Sequence, residues 1–385
     1  MNRSPHTLAD TPADGASTPY ALVDAARVTR NIQRLNTRLE PFAVRLRPHV
    51  KTAKSPALTR EIWAGGTGPV TVSTLAEAEA FAADGFDDIV YAVGITPDKL
   101  RRVHEIRSGG VDLVVLLDSV RQAEAVSEAS AAFGHRVPAL IEIDCDGHRG
   151  GLRPEDPELL RVADALRGAE LRGVLAHAGE SYYCRTEAEL VAAAENERAV
   201  TVRAAQTLRA AGHRVDVVSI GSTPTAHFIR DTEGVTEIRA GNYLFFDLVM
   251  AGIGVCALTD IALSVVVTVI GHQSERGRLI TDGGWTAMSQ DRGTAEQDTD
   301  QGYGIVLDAR GRPYPDLIMT SANQEHGILS LREGSAETLP ALPIGTRVRV
   351  LPNHACATAG QYSRLLLDEG RPDGRPTVLH RVGGW

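Results

Sequence analysis

Between residues 20 and 250 the chain switches eight times between a short run rich in Val, Ile and Leu and a longer Ala/Arg/Glu-rich stretch of helical period. The apolar runs fall at 44–51, 69–74, 88–93, 112–119, 139–146, 171–179, 215–223 and 235–246. Amphipathic stretches such as 75–84, 120–133, 157–167, 187–211 and 224–230 lie between them. Repeated strand–helix alternation builds a parallel sheet, and eight repeats close it into a (β/α)8 barrel. An open doubly wound sheet has the same local texture. The count of eight and the lack of a G-x-G-x-x-G turn favour the barrel.

After about residue 255 the texture changes. Runs at 261–271, 277–282, 302–307, 315–320, 346–351 and 377–382 read as strands separated by Gly/Pro/Asp turns. A mainly antiparallel β domain is expected there. The expected division is a barrel over 20–250 and a β domain made of 1–19 and 251–385.

Composition narrows the setting. Forty Lys+Arg against 49 Asp+Glu give a net charge of −9, which argues against nucleic acid or an anionic membrane as partner. No run reaches the roughly 18 apolar residues of a membrane helix. The first residues, MNRSPHTLADTPADG, contain no apolar signal region. Four scattered cysteines, at 145, 184, 256 and 356, do not form a disulfide framework, so a cytoplasmic location is expected.

The chain has only three lysines: Lys51, Lys54 and Lys99. Chemistry in such barrels sits at the C-terminal ends of the strands. There the sequence places Arg47-Pro48-His49-Val50-Lys51-Thr52, Asp144-Cys145-Asp146-Gly147-His148-Arg149, His177-Ala178-Gly179 with Ser181-Tyr182-Tyr183, and Gly221-Ser222-Thr223-Pro224-Thr225. Lys51 follows an apolar strand among cationic neighbours. A partly desolvated amine in that setting is a nucleophile able to condense with an aldehyde cofactor. A plain surface lysine at a strand end is the alternative. The hydroxyl-rich turn at 221–225, with Gly241-Asn242 at the next strand end, could hold a phosphate, or could be an ordinary helix cap. In Pro352-Asn353-His354-Ala355-Cys356, continued extended backbone would point His354 and Cys356 to one side, a pair suited to zinc. A buried histidine beside an unrelated thiol is the competing reading.

These blocks resemble, in the same order, those of the D-serine dehydratase / D-threonine aldolase group. That group comprises fold-type III pyridoxal-phosphate enzymes related to alanine racemase. The resemblance runs from about residue 18 to the C-terminus and includes Asp146-Gly147-His148-Arg149-Gly150. It is strengthened by Phe245-Phe246-Asp247-Leu248-Val249-Met250, Ala287-Met288-Ser289-Gln290-Asp291-Arg292-Gly293-Thr294 and Asn323-Gln324-Glu325-His326-Gly327. One departure is Lys51-Thr52-Ala53-Lys54, where many members read K-T-H-K. Cys356 stands where the aldolases of the group tend to carry Asp, which points to the dehydratases.

The resemblance implies that Lys51 joins covalently to pyridoxal phosphate and then removes the substrate's α-proton. It places Arg149 by the cofactor's phenolic oxygen and Tyr182 or Tyr183 by its ring. Ser222, Thr223, Gly241, Asn242 and Tyr243 would line the phosphate pocket. His354 and Cys356 would bind zinc, with manganese a second divalent candidate. The expected reaction is dehydration of a D-configured β-hydroxy amino acid to a 2-oxo acid and ammonia. D-threo-3-Hydroxyaspartate giving oxaloacetate is the first choice, with Arg292 and His326 as candidates for its second carboxylate. D-Serine giving pyruvate, retro-aldol cleavage of D-threonine, and a non-catalytic pyridoxal-phosphate carrier are the alternatives. A homodimer is expected from the resemblance.

Overall fold

A computed structural model describes residues 16–385. The expected placement of 1–15 in the β domain lies outside the described residues. The chain divides into two compact units, one containing Ile32–Tyr243 with Val382–Trp385, the other the N-terminal stretch through Asn31 with Leu244–Arg381.

The first unit is the barrel. Its strands are β2 (Arg45–Leu46), β3 (Val70–Val72), β4 (Asp88–Gly94), β5 (Asp112–Leu117), β6 (Pro138–Ile143), β7 (Glu170–Ala176), β8 (Val217–Ile220) and β9 (Glu237–Ile238), preceded in the chain by β1 (Tyr20–Asp24). All eight barrel strands pair in parallel, in the order β2-β9-β8-β7-β6-β5-β4-β3. A parallel bridge from His49 to Thr71 closes β2 onto β3. The alternation therefore folds as the sequence predicts. Strand periodicity sorts the side chains: Val90, Val114, Leu116, Leu140 and Leu175 form one cluster. Their neighbours Ile89, Tyr91, Leu113, Val115, Ile141 and Val174 join the helices in a second.

The N-terminal face of the barrel carries ion pairs. Arg47, 3% exposed, places Nε 2.9 Å from Glu237 and Nη1 2.7 Å from Asp88, and Arg45 reaches Glu237 at 3.0 Å. Its charge is thus committed beneath the strands rather than to the Lys51 side, as its place in the sequence implied. Leaving such a buried carboxylate unpaired costs about 3–5 kcal/mol, so the cluster braces the wall.

The second unit is a nine-stranded sheet ordered β11-β14-β13-β12-β15-β10-β1-β16-β17. Its further strands are β10 (Leu263–Gln273), β11 (Arg278–Thr281), β12 (Ile305–Leu307), β13 (Pro313–Ala322), β14 (Gly327–Leu331), β15 (Arg347–Leu351), β16 (Arg364–Asp368) and β17 (Thr377–His380). Pairing is antiparallel except between β1 and β16. Tyr20–Asp24 belongs here, with Leu22 packing on Val266 and Leu366. By compactness the chain divides after Asn31, Tyr243 and Arg381.

Candidate active site

At the C-terminal end of β2 the backbone is pinned on both flanks. The His49 N–H donates to the Ala240 carbonyl (2.8 Å) and the Val50 N–H to that of Thr71 (2.9 Å). Val50, Thr52 and Ala53 are buried, which leaves Lys51 as the partly exposed residue of the turn. Among the described residues its amine makes no hydrogen bond or ion pair. The other two lysines are committed. Lys54 Nζ lies 2.7 Å from the buried Glu77, and Lys99 Nζ donates to Tyr91 Oη at 3.0 Å. Ala53, at the position of the group's histidine, is 1% exposed.

Lys51 sits among histidines kept neutral. Burial pushes His49 well below the ordinary value, helped by the charges of Lys51, Arg239, His177 and Arg149. Burial likewise brings His177 down to about 3, again helped by Lys51, Arg149 and Arg239, while its Nδ1 contacts the Gly221 carbonyl at 3.0 Å. Arg149 is thereby placed on the Lys51 side of the barrel. Its loop is closed by Asp144 N–H to Leu152 O (3.0 Å), and Gly151 at φ +109 lets the chain approach the Asp144 backbone. The two tyrosine candidates separate. The Tyr182 ring lies 6.3 Å from that of His177, whereas Tyr183 is 53% exposed and faces His148.

The turn after β8 is knit internally. Ser222 Oγ accepts the Thr225 N–H (3.2 Å) and contacts Ser181 Oγ (2.9 Å). Thr223 Oγ1 accepts the Tyr243 N–H at 3.2 Å, which ties the 221–225 turn to Gly241-Asn242-Tyr243. The helix that follows, Thr223–Phe228, is only six residues long. Glu197, absent from the sequence reading, organises this region. Its carboxylate accepts the N–H groups of Ala178 and Gly221 (both 2.9 Å) and the Thr225 hydroxyl (2.8 Å). A signal existed: buried residues on its helix recur at 190, 194, 197, 201, 204 and 208, so Glu197 stands on an otherwise apolar or neutral face. Tyr243 Oη is buried without a hydrogen-bond partner among the described residues. A buried orphan hydroxyl is costly, and a phosphate oxygen would satisfy it.

In the β unit, His354 and Cys356 come together, but not by strand alternation. β15 ends at Leu351, His354 is the N-cap of the helix Ala355–Ala359, and Cys356 lies in its first turn. Asn353 pins the segment by accepting from Thr294 Oγ1 (2.5 Å) and donating to the Gly302 carbonyl (2.6 Å). The fully buried Asp247 accepts the Ala355 N–H between the two candidates at 2.8 Å. Desolvation opposes charge on His354, yet hydrogen bonds with Asp291 and Cys356 and the charges of Cys356 and Asp247 hold its pKa well above the ordinary value. The sulfur and the two carboxylates thus favour positive charge at this spot, which a divalent cation could supply in place of the proton. Among the described residues no three His, Cys, Asp or Glu side chains gather as a metal cluster. A two-ligand pair leaves coordination positions open, as catalytic zinc requires. Arg292 pairs with Asp300 (2.5 Å) and lies over the Tyr303 ring, while His326 is exposed in the turn before β14.

Burial also sets an acid limit. His177 at about 3 and His227 at about 4 both bind protons less readily folded than unfolded. Their stabilising contribution is complete above about pH 6.5 and is lost as pH falls toward those values. By pH 5 each is expected to forfeit on the order of 2 kcal/mol. Thermal melts from pH 7 to 4.5 check this, with His227→Gln flattening the decline.

Residues 23–249 match the family model described as alanine racemase, N-terminal domain, and residues 262–367 the model described as putative serine dehydratase domain. The chain belongs to this alanine racemase-type family. It is 50% identical to D-threo-3-hydroxyaspartate dehydratase of Delftia sp. strain HT23, over 96% of this chain and 98% of that protein. The solved structure of that dehydratase superposes with a TM-score of 0.93 at 49% identity, covering 97% of this chain and 100% of the other. A cysteine-to-alanine variant of it has been solved in a metal-free form. D-Serine dehydratase of Dictyostelium discoideum is 29% identical over 90% of this chain and 92% of its own length. D-Threonine aldolase from Filomicrobium marinum superposes with a TM-score of 0.80 at 26% identity, with 96% of each chain covered.

Proposed function

We propose that this chain is a pyridoxal-phosphate- and zinc-dependent dehydratase that converts D-threo-3-hydroxyaspartate to oxaloacetate and ammonia. The observation that carries the reading is Lys51: of the three lysines, it alone keeps an amine uncommitted among the described residues, beside neutral histidines and two arginines. The half-identity to a dehydratase of that substrate supports it. Bound pyridoxal phosphate supplies a sink for charge at the substrate's α-carbon, and bound zinc a Lewis acid for the β-hydroxyl.

The rest falls to the protein. Lys51 Nζ would hold the cofactor and take the α-proton. Arg149 would offer its guanidinium to the cofactor's oxygen, and Tyr182, rather than the exposed Tyr183, would face its ring. Thr223, Gly241, Asn242 and the Tyr243 hydroxyl would receive the phosphate, while Ser222 shapes the turn. His354 and Cys356 would supply nitrogen and sulfur to zinc, a donor pair softer than manganese prefers. The four cysteines form no disulfide, which supports a reducing, cytoplasmic setting. No helix among the described residues is long and apolar enough to cross a membrane. We take the working unit as a homodimer, checked by sedimentation equilibrium.

The decisive assay measures keto acid and ammonia released from the stereoisomers of 3-hydroxyaspartate, serine and threonine, with and without chelator. Chelator-sensitive oxaloacetate from the D-threo isomer is expected. Glycine and glyoxylate from the same substrate would mean retro-aldol cleavage instead, and no product at all would fit a cofactor carrier. For the second carboxylate, Arg292→Ala is expected to raise KM for 3-hydroxyaspartate at least about tenfold while sparing D-serine, a charge-assisted pair contributing about 1.5–3 kcal/mol. Equal losses on both substrates would assign Arg292 to its pairing with Asp300, and His326→Ala serves as the parallel comparison.

A further inference from the structure

The candidate ligand His354 does not stand alone. Its Nδ1 lies 2.6 Å from Oδ2 of Asp291, both side chains being somewhat over a third exposed. Asp291 is itself held. It follows the helix Trp285–Met288, which ends at Ser289 in a left-handed conformation (φ 75), and the Asp291 N–H donates to Ser289 Oγ at 3.0 Å. The Gly293 backbone N–H donates to the Asp291 carboxylate. The two segments are joined where Thr358 Oγ1 donates to the Met288 carbonyl at 2.7 Å. The carboxylate thus reaches the imidazole from a braced turn on a different stretch of chain.

We infer that Asp291 is a positioning residue for the metal centre: by accepting the Nδ1–H it fixes the tautomer and ring orientation of His354, leaving Nε2 as the lone pair offered to zinc. The inference rests on the metal reading above. A ligating imidazole must present one bare nitrogen, and a carboxylate on the other makes that choice before metal arrives. Without it the ring can flip or place its proton on Nε2, and each metal-binding event must reverse that. Asp291 neither contacts the substrate nor ligates the ion in this assignment, so its loss acts on affinity for metal.

The test is zinc affinity of the cofactor-loaded enzyme by competition with a chromophoric chelator, for wild type, Asp291→Ala and Asp291→Asn. Asp291→Ala is expected to bind zinc about 10–100-fold more weakly. Asp291→Asn, whose amide oxygen can still accept the Nδ1–H, is expected to recover most of that loss. Melting temperature and cofactor absorbance should be the same in all three. Zinc affinity within twofold of wild type in Asp291→Ala overturns the positioning role and leaves the metal reading standing. A wild-type protein that binds no zinc in the same assay overturns both.

Discussion

Lys51→Ala is expected to lower keto-acid release from D-threo-3-hydroxyaspartate by at least roughly a thousandfold, since it removes the residue proposed as both covalent anchor and base. The paired measurement is a covalent one. Wild-type protein treated with pyridoxal phosphate and borohydride should yield a single modified peptide containing Lys51, and the variant none. The small number of lysines makes this unusually clean. Lys54 is tied to a buried carboxylate at 2.7 Å and Lys99 donates to Tyr91, so neither amine is available without breaking an existing contact. The variant should also fold. Lys51 is partly exposed, and its positive charge works against protonation of His49 and His177, so its removal relieves repulsion at low pH rather than orphaning a partner. Lys51→Arg separates charge from chemistry, because it keeps the cation and loses the nucleophile; it should be as inactive as the alanine variant. Turnover of Lys51→Ala at the wild-type rate, or a borohydride adduct on Lys54 or Lys99, would overturn the assignment.

The barrel was legible because its signal is local. Each parallel strand is an apolar run followed by its own helix, and all eight recur as strands, although β2 and β9 are cut to two residues each. Arg47 and Glu237 occupy places that continuous apolar strands would have filled. What escaped was non-local. β1 pairs with β10 and β16, more than 200 residues away, and nothing in Tyr20–Asp24 announces that partnership. β14 and β16 escape for a different reason: each pairs with a chain neighbour, β13 or β17, but is a short run whose period is too brief to register. In the candidate site, the residues proposed for cofactor or metal stand out in the sequence by type and place. The residues that hold them, Glu197, Asp247 and Asp291, do not, because a carboxylate accepting backbone N–H groups or an imidazole proton looks in sequence like any acidic residue. The spacing on the helix Glu187–Ala210 was the one available clue, and it identified Glu197 as buried without saying what it binds. His354 and Cys356 were paired for the wrong geometric reason, a strand in place of a helix start, and still met.

Removing either proposed metal ligand should separate binding of the cofactor from elimination. His354→Ala and Cys356→Ala are each expected to fall at least about a hundredfold in dehydration, since Lewis-acid assistance to a leaving hydroxide is worth several kcal/mol. Both should keep the visible absorbance of bound pyridoxal phosphate, because Lys51 and the 221–225 turn belong to the barrel unit and the proposed ligands to the other. The folds should survive. Asp247 still holds the Ala355 backbone, Asn353 still spans Thr294 and Gly302, and Thr358 still caps the Met288 carbonyl. Chelated wild type should regain activity on adding zinc, whereas the variants should not. Cys356→Asp tests the donor chemistry further. A carboxylate in place of the thiolate should weaken zinc binding and shift preference toward harder ions such as manganese. Wild-type turnover by either alanine variant, with metal shown absent by elemental analysis, would mean that the hydroxide leaves without a cation's help, and the role given to this pair would fall.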